Sequence, residues 1–203
     1  MTIGNIVNFG KYEWIILDIQ TDSMLLITKE IIEQRDYHNK KEAVTWEHSE
    51  IRHFLNTEFL ERFEDSEKQR VVPVLNKNPG NPWYGSDGGN DTTDKVFLLS
   101  IDECVRKYFG DSSRLLDNPK KNQRYWFDRK DENNGKRTAQ FMKGGWWWWT
   151  RTPGKHNKVA VYIHGDGNIG IQGNGICKTS FNTLHGSTQS NEGGLRPAVW
   201  VKK

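Results

Sequence analysis

The chain of 203 residues carries 29 basic and 26 acidic residues, for a net charge of +3, and its mean hydropathy is −0.82. This length fits one domain over residues 1–203, and so small a net charge excludes a protein that binds polyanions through its overall charge. Nine Trp, nine Phe and six Tyr exclude an intrinsically disordered chain, because disordered segments are poor in aromatic residues.

The first predicted elements are strands within residues 3–28. The runs YEWIILDI and SMLLITKE are apolar and β-type, and the polar residues 20–22 separate them as a turn would. We expect the chain to begin with three antiparallel strands.

Residues 45–63, TWEHSEIRHFLNTEFLERF, change to a helical period. Thr45 or Ser49 is a suitable N-cap, and Asn56 could divide the run into two short helices. A further helix is predicted over residues 101–110, IDECVRKYFG, with Gly110 at its end. The apolar positions that recur at spacings of three and four are Ile51, Phe54, Leu55, Phe59 and Phe63.

Between these helices, residues 76–94 consist mainly of turn-forming residues and predict a long loop. Asp87, Asp91 and Asp94 lie in this loop and carry the hard oxygen ligands that Ca²⁺ prefers. Their spacing matches no EF-hand, and an ordinary loop has the same composition. Whether the three carboxylates bind a cation stays open at this point.

The second half of the chain is rich in β-type runs: WWWWTRT, KVAVYIH, NIGIQG and LRPAVWVKK. Residues 165–170, GDGNIG, match G-x-G-x-x-G, but the continuation IQGNG cannot form the helix that a dinucleotide site requires. We therefore expect a hairpin turn there. With two to three helices and long loops, the pattern predicts one α+β domain.

The run of four tryptophans at residues 146–149 is the most unusual feature. In a strand, Trp146 and Trp148 would face one side, and Trp147, Trp149 and Arg151 the other. One set is expected in the core, with the other covered or lying in a groove. An exposed Trp beside an Arg would provide a platform for sugar rings, bases or aromatic side chains.

One segment carries a local excess of charge. Lys120–Lys143 contains eight basic and three acidic residues, so contact with a polyanion is one hypothesis and an ordinary solvated loop is another. The sequence does not favour nucleic acid as the main partner.

The sequence offers no recognisable cofactor or catalytic signature. Cys104 and Cys177 are the only cysteines, too few for metal-type spacing or a secreted disulfide framework. No catalytic residue and no metal site is assigned, and no cofactor is expected. No stretch of the sequence approaches 18 consecutive apolar residues, and the N-terminal residues lack a Sec-type signal. We therefore expect a soluble protein. A cytoplasmic location is the default, although a phage particle or export by another route would be compatible with the same sequence.

Six motifs occur in an order that resembles a widespread family of uncharacterised bacterial and phage domains. They are YEWIILDI with LLIT, TWEHSEIRHFLNTEFL, TTDKVFLLSIDE, WWTRTP, VAVYIHGDGNIG and GGLRPAVWV. That family is similar to the C-type-lectin-like fold of formylglycine-generating-type enzymes and of phage tropism-determining receptor binders. The resemblance, over about residues 4–201, implies a compact lectin-like body whose last core strand contains GLRPAVWV. Arg196 is expected to have a structural role in that strand.

The chain departs from both functional branches of this fold. The oxidases use paired cysteines late in the chain, where only Cys177 is found, and the long-form Ca²⁺-lectin signatures are not visible. The resemblance therefore implies a non-enzymatic module that displays loops toward a glycan or a protein surface. An enzyme that uses His164 or Asp166 is the alternative. The predicted ligand-binding residues are Trp146, Trp147, His156, Asn157, Tyr162, Asn174, Phe181, Asn182, His185 and Asn191.

Overall fold

The computed structural model describes residues 1–115, 130–177 and 192–203. The strands, in chain order, are β1 (Ile6–Phe9), β2 (Tyr12–Ile19), β3 (Ser23–Thr28), β4 (Glu33–Arg35), β5 (Val71–Val72), β6 (Val74–Asn76), β7 (Thr92–Asp94), β8 (Val96–Phe97), β9 (Gln140–Phe141), β10 (Gly144–Gly145), β11 (Trp148–Pro153), β12 (Val159–Ile163), β13 (Ile169–Gly175), β14 (Gly193–Leu195) and β15 (Ala198–Lys202). The α-helices are α1 (Glu50–Phe54), α2 (Asp65–Lys68) and α3 (Asn134–Arg137). Two π-helical segments, Leu55–Phe59 and Glu103–Lys107, and three short 3₁₀ segments, Trp46–His48, Leu60–Arg62 and Ser113–Leu115, complete the helical structure of the described residues. The predicted α+β class is confirmed.

The first sheet joins the two ends of the chain. Its strand order is β1-β2-β3-β15-β5, with β8 also paired to β15. The predicted three antiparallel strands are present, and the C-terminal strand lies beside β3, where Trp200 is opposite Leu25. This pairing places the closing motif in the core, since Val199 and Val201 are fully buried.

The second sheet is made almost entirely from the C-terminal half. Its order is β13-β12-β11-β14-β4, and all its pairings are antiparallel except that of β11 with β14. The GDGNIG segment forms the turn between β12 and β13, as expected for a hairpin, and Gly167 adopts a φ of +80°. A Cβ at Gly167 would lie 1.9 Å from the carbonyl oxygen of Asn134, so the turn also requires glycine for its close packing.

The amphipathic helix is confirmed, with an irregular second half. Ser49 caps α1 by accepting a hydrogen bond from the Arg52 N–H. At Leu55 the chain changes to a π-helical segment. The Asn56 side chain accepts from the backbone N–H groups of Lys95 and Val96 and donates to the carbonyl of Val96. Asn56 therefore links the helical segment to β8. It lies at the position where the sequence allows a division into two short helices.

The second predicted helix starts and ends close to the expected positions. Ser100 and Glu103 bond each other's backbone N–H groups through their side chains, as in a capping box. Gly110 follows the segment with a φ of +94°, the left-handed conformation expected after a helix. The helical turn between them is π-type, and its Cys104 and Val105 pack into the core.

Candidate functional site

The four tryptophans divide into a buried pair and a half-buried pair. Trp148 and Trp149 have no exposed surface, whereas Trp146 and Trp147 are partly exposed and pack on the edge of the core. The strand β11 begins only at Trp148, and all six of its residues are buried. Both faces of this strand are therefore covered. Exposure in the tryptophan run differs between its first two and its last two residues, and does not alternate from one residue to the next.

Strand alternation nevertheless sets the contacts of each ring. Trp148 lies 6.4 Å from the Phe109 ring and beneath the Arg196 guanidinium, and its Nε1 donates to the Arg137 carbonyl at 3.0 Å. Trp149 lies on the opposite face, where its Nε1 donates to the carbonyl of Arg35 at 2.9 Å. Each buried indole N–H therefore has a carbonyl acceptor, which removes the cost of burying the polar atom.

The arginine that was expected beside an exposed tryptophan is not at the surface. Arg151 is 3% exposed and forms an ion pair with Glu103. It also donates to Asn78 and to the carbonyls of Leu98 and Lys77. The expected platform of exposed Trp and Arg151 is therefore wrong, because Arg151 ties β11 to the loops around it.

We call Trp146, Trp147 and Tyr162 the aromatic edge; Tyr162 itself is buried in the core at 8% exposure and supports the two half-buried tryptophans. The Trp147 ring meets Trp149 edge-on at 4.7 Å and Tyr162 at 5.3 Å between ring centroids. Trp146 donates from its backbone to Ala139 at 3.1 Å. The Trp147 ring is thus fixed by the rings packed against it, which lowers the entropy cost of contacting a ligand.

The backbone at Gly193 lies close to the rings of Trp147 and Trp149, which makes this packing possible. A Cβ at Gly193 would lie 2.3 Å from Nε1 of Trp149 and 2.5 Å from the Trp147 ring. Any larger residue at position 193 would displace one of these two rings.

Beside the aromatic edge lies a polar turn, which we define as Lys130, His164, Asp166 and Asn168. The Asp166 carboxylate is 2.9 Å from Nζ of Lys130 and 3.0 Å from Nδ1 of His164, and it accepts the Asn168 N–H at 3.0 Å. The backbones of Gly165 and Gly145 are in contact, which places the turn next to Trp146. Aromatic and hydrogen-bonding groups therefore adjoin on one part of the surface.

The polar turn stabilises a charged carboxylate. Partial burial opposes ionisation of Asp166, but hydrogen bonds from Lys130, the Asn168 N–H and His164 outweigh it and lower the pKa to about 2. Asp166 is therefore ionised at neutral pH. The His164, Asp166 and Lys130 side chains are 43%, 33% and 55% exposed, so this network is in contact with solvent.

Three other predicted ligand residues lie toward the opposite end of the same sheet. Asn174 is opposite Ala160 on β12, and His156 and Asn157 occupy the turn before that strand. Asn157 donates to the Asp87 carbonyl at 2.7 Å, while His156 is exposed. The structure therefore separates these three residues from Trp146, Trp147 and Tyr162. The remaining four predicted residues lie outside the described residues: Phe181, Asn182, His185 and Asn191.

A cleft of mixed polar and apolar lining adjoins Asn157 and was missed from the sequence. It has a volume of about 360 Å³ and is lined by His38, Glu42, Thr45, His48 and Asp87 as well. His38 is 6% exposed, and its buried Nδ1 has no hydrogen-bond partner in the described structure. No signal marks His38 in the sequence, since it stands alone in an irregular segment.

The acidic loop carboxylates are used within the protein. Asp94 is buried and accepts hydrogen bonds from four side chains: Trp46, Arg52, Asn76 and Thr92. Asp91 pairs with Lys77, and Asp87 accepts the Gly89 N–H. Within residues 1–115, 130–177 and 192–203, no group of three or more acidic, His or Cys residues is arranged to hold a metal ion.

Part of the basic segment is also internal. Arg137 is fully buried and donates to Gly167, Ser112, Asn134 and Asp131. Lys130 pairs with Asp166, and residues 120–129 lie outside the described part. At least Arg137 therefore cannot serve a polyanion, and the rest of that hypothesis stays a prediction.

The two cysteines and Arg196, which precedes the last strand, lie in the core. Cys104 and Cys177 are both buried, and burial raises the pKa of the Cys104 thiol, so Cys104 is not a thiolate at neutral pH. Arg196 is fully buried, and it donates to the carbonyls of Thr28, Arg137 and Lys29. Its expected structural role is confirmed by these contacts.

Comparison with known proteins identifies the family but no relative of established function. No curated protein and no solved structure matches the chain. In the described residues, no helix is long and apolar enough to cross a membrane. The model of the DUF6273 family, a domain of unknown function, matches residues 21–203. The chain therefore belongs to the DUF6273 family.

Proposed function

We propose that the protein is a non-enzymatic binding module that recognises a glycan through the aromatic edge and the polar turn. The observation that carries the proposal is the contrast within one tryptophan run. Trp148 and Trp149 are fully buried, but Trp146 and Trp147 remain partly exposed beside a hydrogen-bonding network. Aromatic rings cost free energy when they are left in contact with water, so their position next to polar groups favours a ligand contact.

A sugar ring suits this combination of groups. Its C–H face can lie against an indole, and its hydroxyls can bond Asp166, His164 and Lys130, whose side chains are partly solvent-exposed. The rigid support of Trp147 by Trp149 and Tyr162 favours binding because little side-chain entropy is lost.

We also propose a C-type-lectin-like arrangement for the scaffold. The adjacency of β15 and β3, which brings the chain ends into one sheet, supports it, as does the C-terminal location of the second sheet. We place the ligand contacts in the C-terminal half of this scaffold, where the aromatic edge lies. A protein surface is the other class of ligand that the same groups would serve.

An enzyme is the second candidate, and one observation favours it. The Nδ1 of His164 is 3.0 Å from the Asp166 carboxylate, the type of pairing that orients a general base. The exposure of both side chains argues for binding instead, because electrostatic stabilisation of a transition state is strongest in a water-excluded site.

The test is a glycan-array screen of the full chain with matched variants. Trp146→Ala and His164→Ala should each abolish most of the wild-type signal while leaving the melting temperature close to that of the wild type. Trp83→Ala is the control, since Trp83 is a half-buried tryptophan in the 76–94 loop. A triple Asn182→Ala, His185→Ala, Asn191→Ala variant tests the predicted C-terminal loop separately.

Two results would reject the proposal. One is a wild-type protein that binds no glycan on the array. The other is a signal that survives both Trp146→Ala and His164→Ala. Loss of signal only in the triple variant would move the binding site to residues 178–191.

A further inference from the structure

A second pocket lies at the N-terminal end of the chain and uses none of the residues of the aromatic edge or the polar turn. It has a volume of about 520 Å³ and is lined mainly by apolar side chains of the β1–β2 region and by the residues around Gly110. Ligand pockets typically have volumes of roughly 300–1,000 Å³ and mostly apolar walls with few polar groups. The lining residues that matter here are Ile3, Ile15, Leu17, Tyr108, Phe109 and Lys136.

The rim of this pocket exposes a large apolar residue. Ile3 is 61% exposed, and Ile6 nearby in the chain is 51% exposed. Deeper in the pocket, Leu17 and Phe109 are 5% and 3% exposed and belong to the core. The pocket thus offers a continuous apolar surface from the core to solvent, which an apolar ligand would cover.

Lys136 adds one positive charge to this apolar lining. Its Nζ donates to Oδ1 of Asn133 at 2.9 Å, and the same Oδ1 lies beside Gly110, which also lines the pocket. This places the ammonium group at the Gly110 end of the pocket. The Asn133 amide that it contacts is neutral, so this hydrogen bond does not offset the charge of the ammonium group.

The neighbouring lysine is already engaged. The pKa of Lys107 is raised by its hydrogen bond to Tyr108 and by the nearby charges of Glu103 and Asp18. The partner of Lys136 is the neutral Asn133 side chain, so the positive charge of Lys136 is available to an anionic ligand.

We propose that this pocket binds a small amphiphilic anion, namely a carboxylate carried on an alkyl or aryl body. The apolar body occupies the space between Ile3, Ile15 and Tyr108, and the carboxylate pairs with Lys136. Neutral alcohols of the same length would gain the apolar contacts but not the ion pair. Short carboxylates would gain the ion pair but little apolar contact.

The test is isothermal titration of the full chain with octanoate, octanol and butyrate. We expect saturable binding of octanoate that is stronger than that of either other compound. Lys136→Gln should weaken octanoate binding by roughly 3- to 5-fold, since exposed ion pairs contribute up to about 1 kcal/mol. It should leave octanol binding unchanged.

Two further variants make the result specific. Lys143→Gln removes an exposed lysine from the turn between β9 and β10 and should not change octanoate binding. Ile3→Ser should weaken octanoate and octanol alike, and its exposed position leaves the melting temperature near that of the wild type.

Three results would overturn the proposal. Octanoate that shows no saturable binding would exclude the pocket as a site for this class of ligand. Equal effects of Lys136→Gln and Lys143→Gln would show that any binding is a general effect of charge. Ile3→Ser without effect would place the apolar body elsewhere.

Discussion

The first and last pairs of the tryptophan run are identical in composition and opposite in environment. Trp148 and Trp149 lie in β11, between β12 and β14, with both faces covered, whereas Trp146 and Trp147 precede that strand and stay half-buried. The comparison teaches that the neighbours of a residue, and not its type, decide whether its side chain is fully buried or stays partly exposed. Three experiments would sharpen or break this contrast.

The largest expected effect is on stability, at the buried pair. Trp148→Ala should lower the free energy of unfolding by about 3–5 kcal/mol, because it removes a fully buried indole that contacts Phe109 and Arg196. Trp146→Ala should cost clearly less, since part of its surface is already exposed. Urea denaturation of both variants measures the difference, and equal losses would contradict the division of the run into two pairs.

The second expected effect is also on stability and concerns Gly193, whose backbone lies against the rings of Trp147 and Trp149. Gly193→Ala should destabilise the protein by about 1–3 kcal/mol, because its Cβ would meet the rings of Trp149 and Trp147. Gly144→Ala is the matched control, since no atom lies within 4 Å of its Cβ position. Thermal unfolding of both variants provides the comparison. A Gly193→Ala variant as stable as Gly144→Ala would show that the rings are not fixed as described.

The smallest effect is the pH dependence of the polar turn. The pKa of Asp166 is lowered to about 2, from an ordinary value of 3.8, so its ionised form stabilises the folded state above the ordinary value. That contribution is lost as the pH falls from about 4 through 2. Asp166→Asn should therefore lose less stability than the wild type between pH 5 and pH 3. Urea midpoints at the two pH values test this, and parallel losses would mean that Asp166 is not held by Lys130 and His164.

Local sequence patterns predict a helix or a hairpin well where one hydrophobic period or one turn motif is enough to identify it. The spacing of Ile51, Phe54 and Phe59 indicated the helical face, and GDGNIG indicated a hairpin. The α+β class followed from these segments. The more specific lectin-like fold stays a prediction.

The candidate site was only partly predictable. The sequence predicts Trp146, Trp147 and Tyr162 as ligand contacts, and the structure places Trp147 against Tyr162. His156, Asn157 and Asn174 were assigned to the same site but lie toward the other end of the sheet. The sequence does not predict Lys130 as a site residue, because its contact with Asp166 joins residues far apart in the chain and leaves no pattern in the sequence.

The amino-acid sequence by itself determined which segments form strands and helices, because periodicity, capping residues and glycine turns act over a few neighbouring residues. Only the tertiary structure decided which tryptophans are buried, where Arg151 and Arg137 donate their hydrogen bonds, and which polar groups adjoin the aromatic edge. Those outcomes depend on contacts between distant segments. Such contacts are set by the packing of the whole chain and leave no local pattern in the sequence.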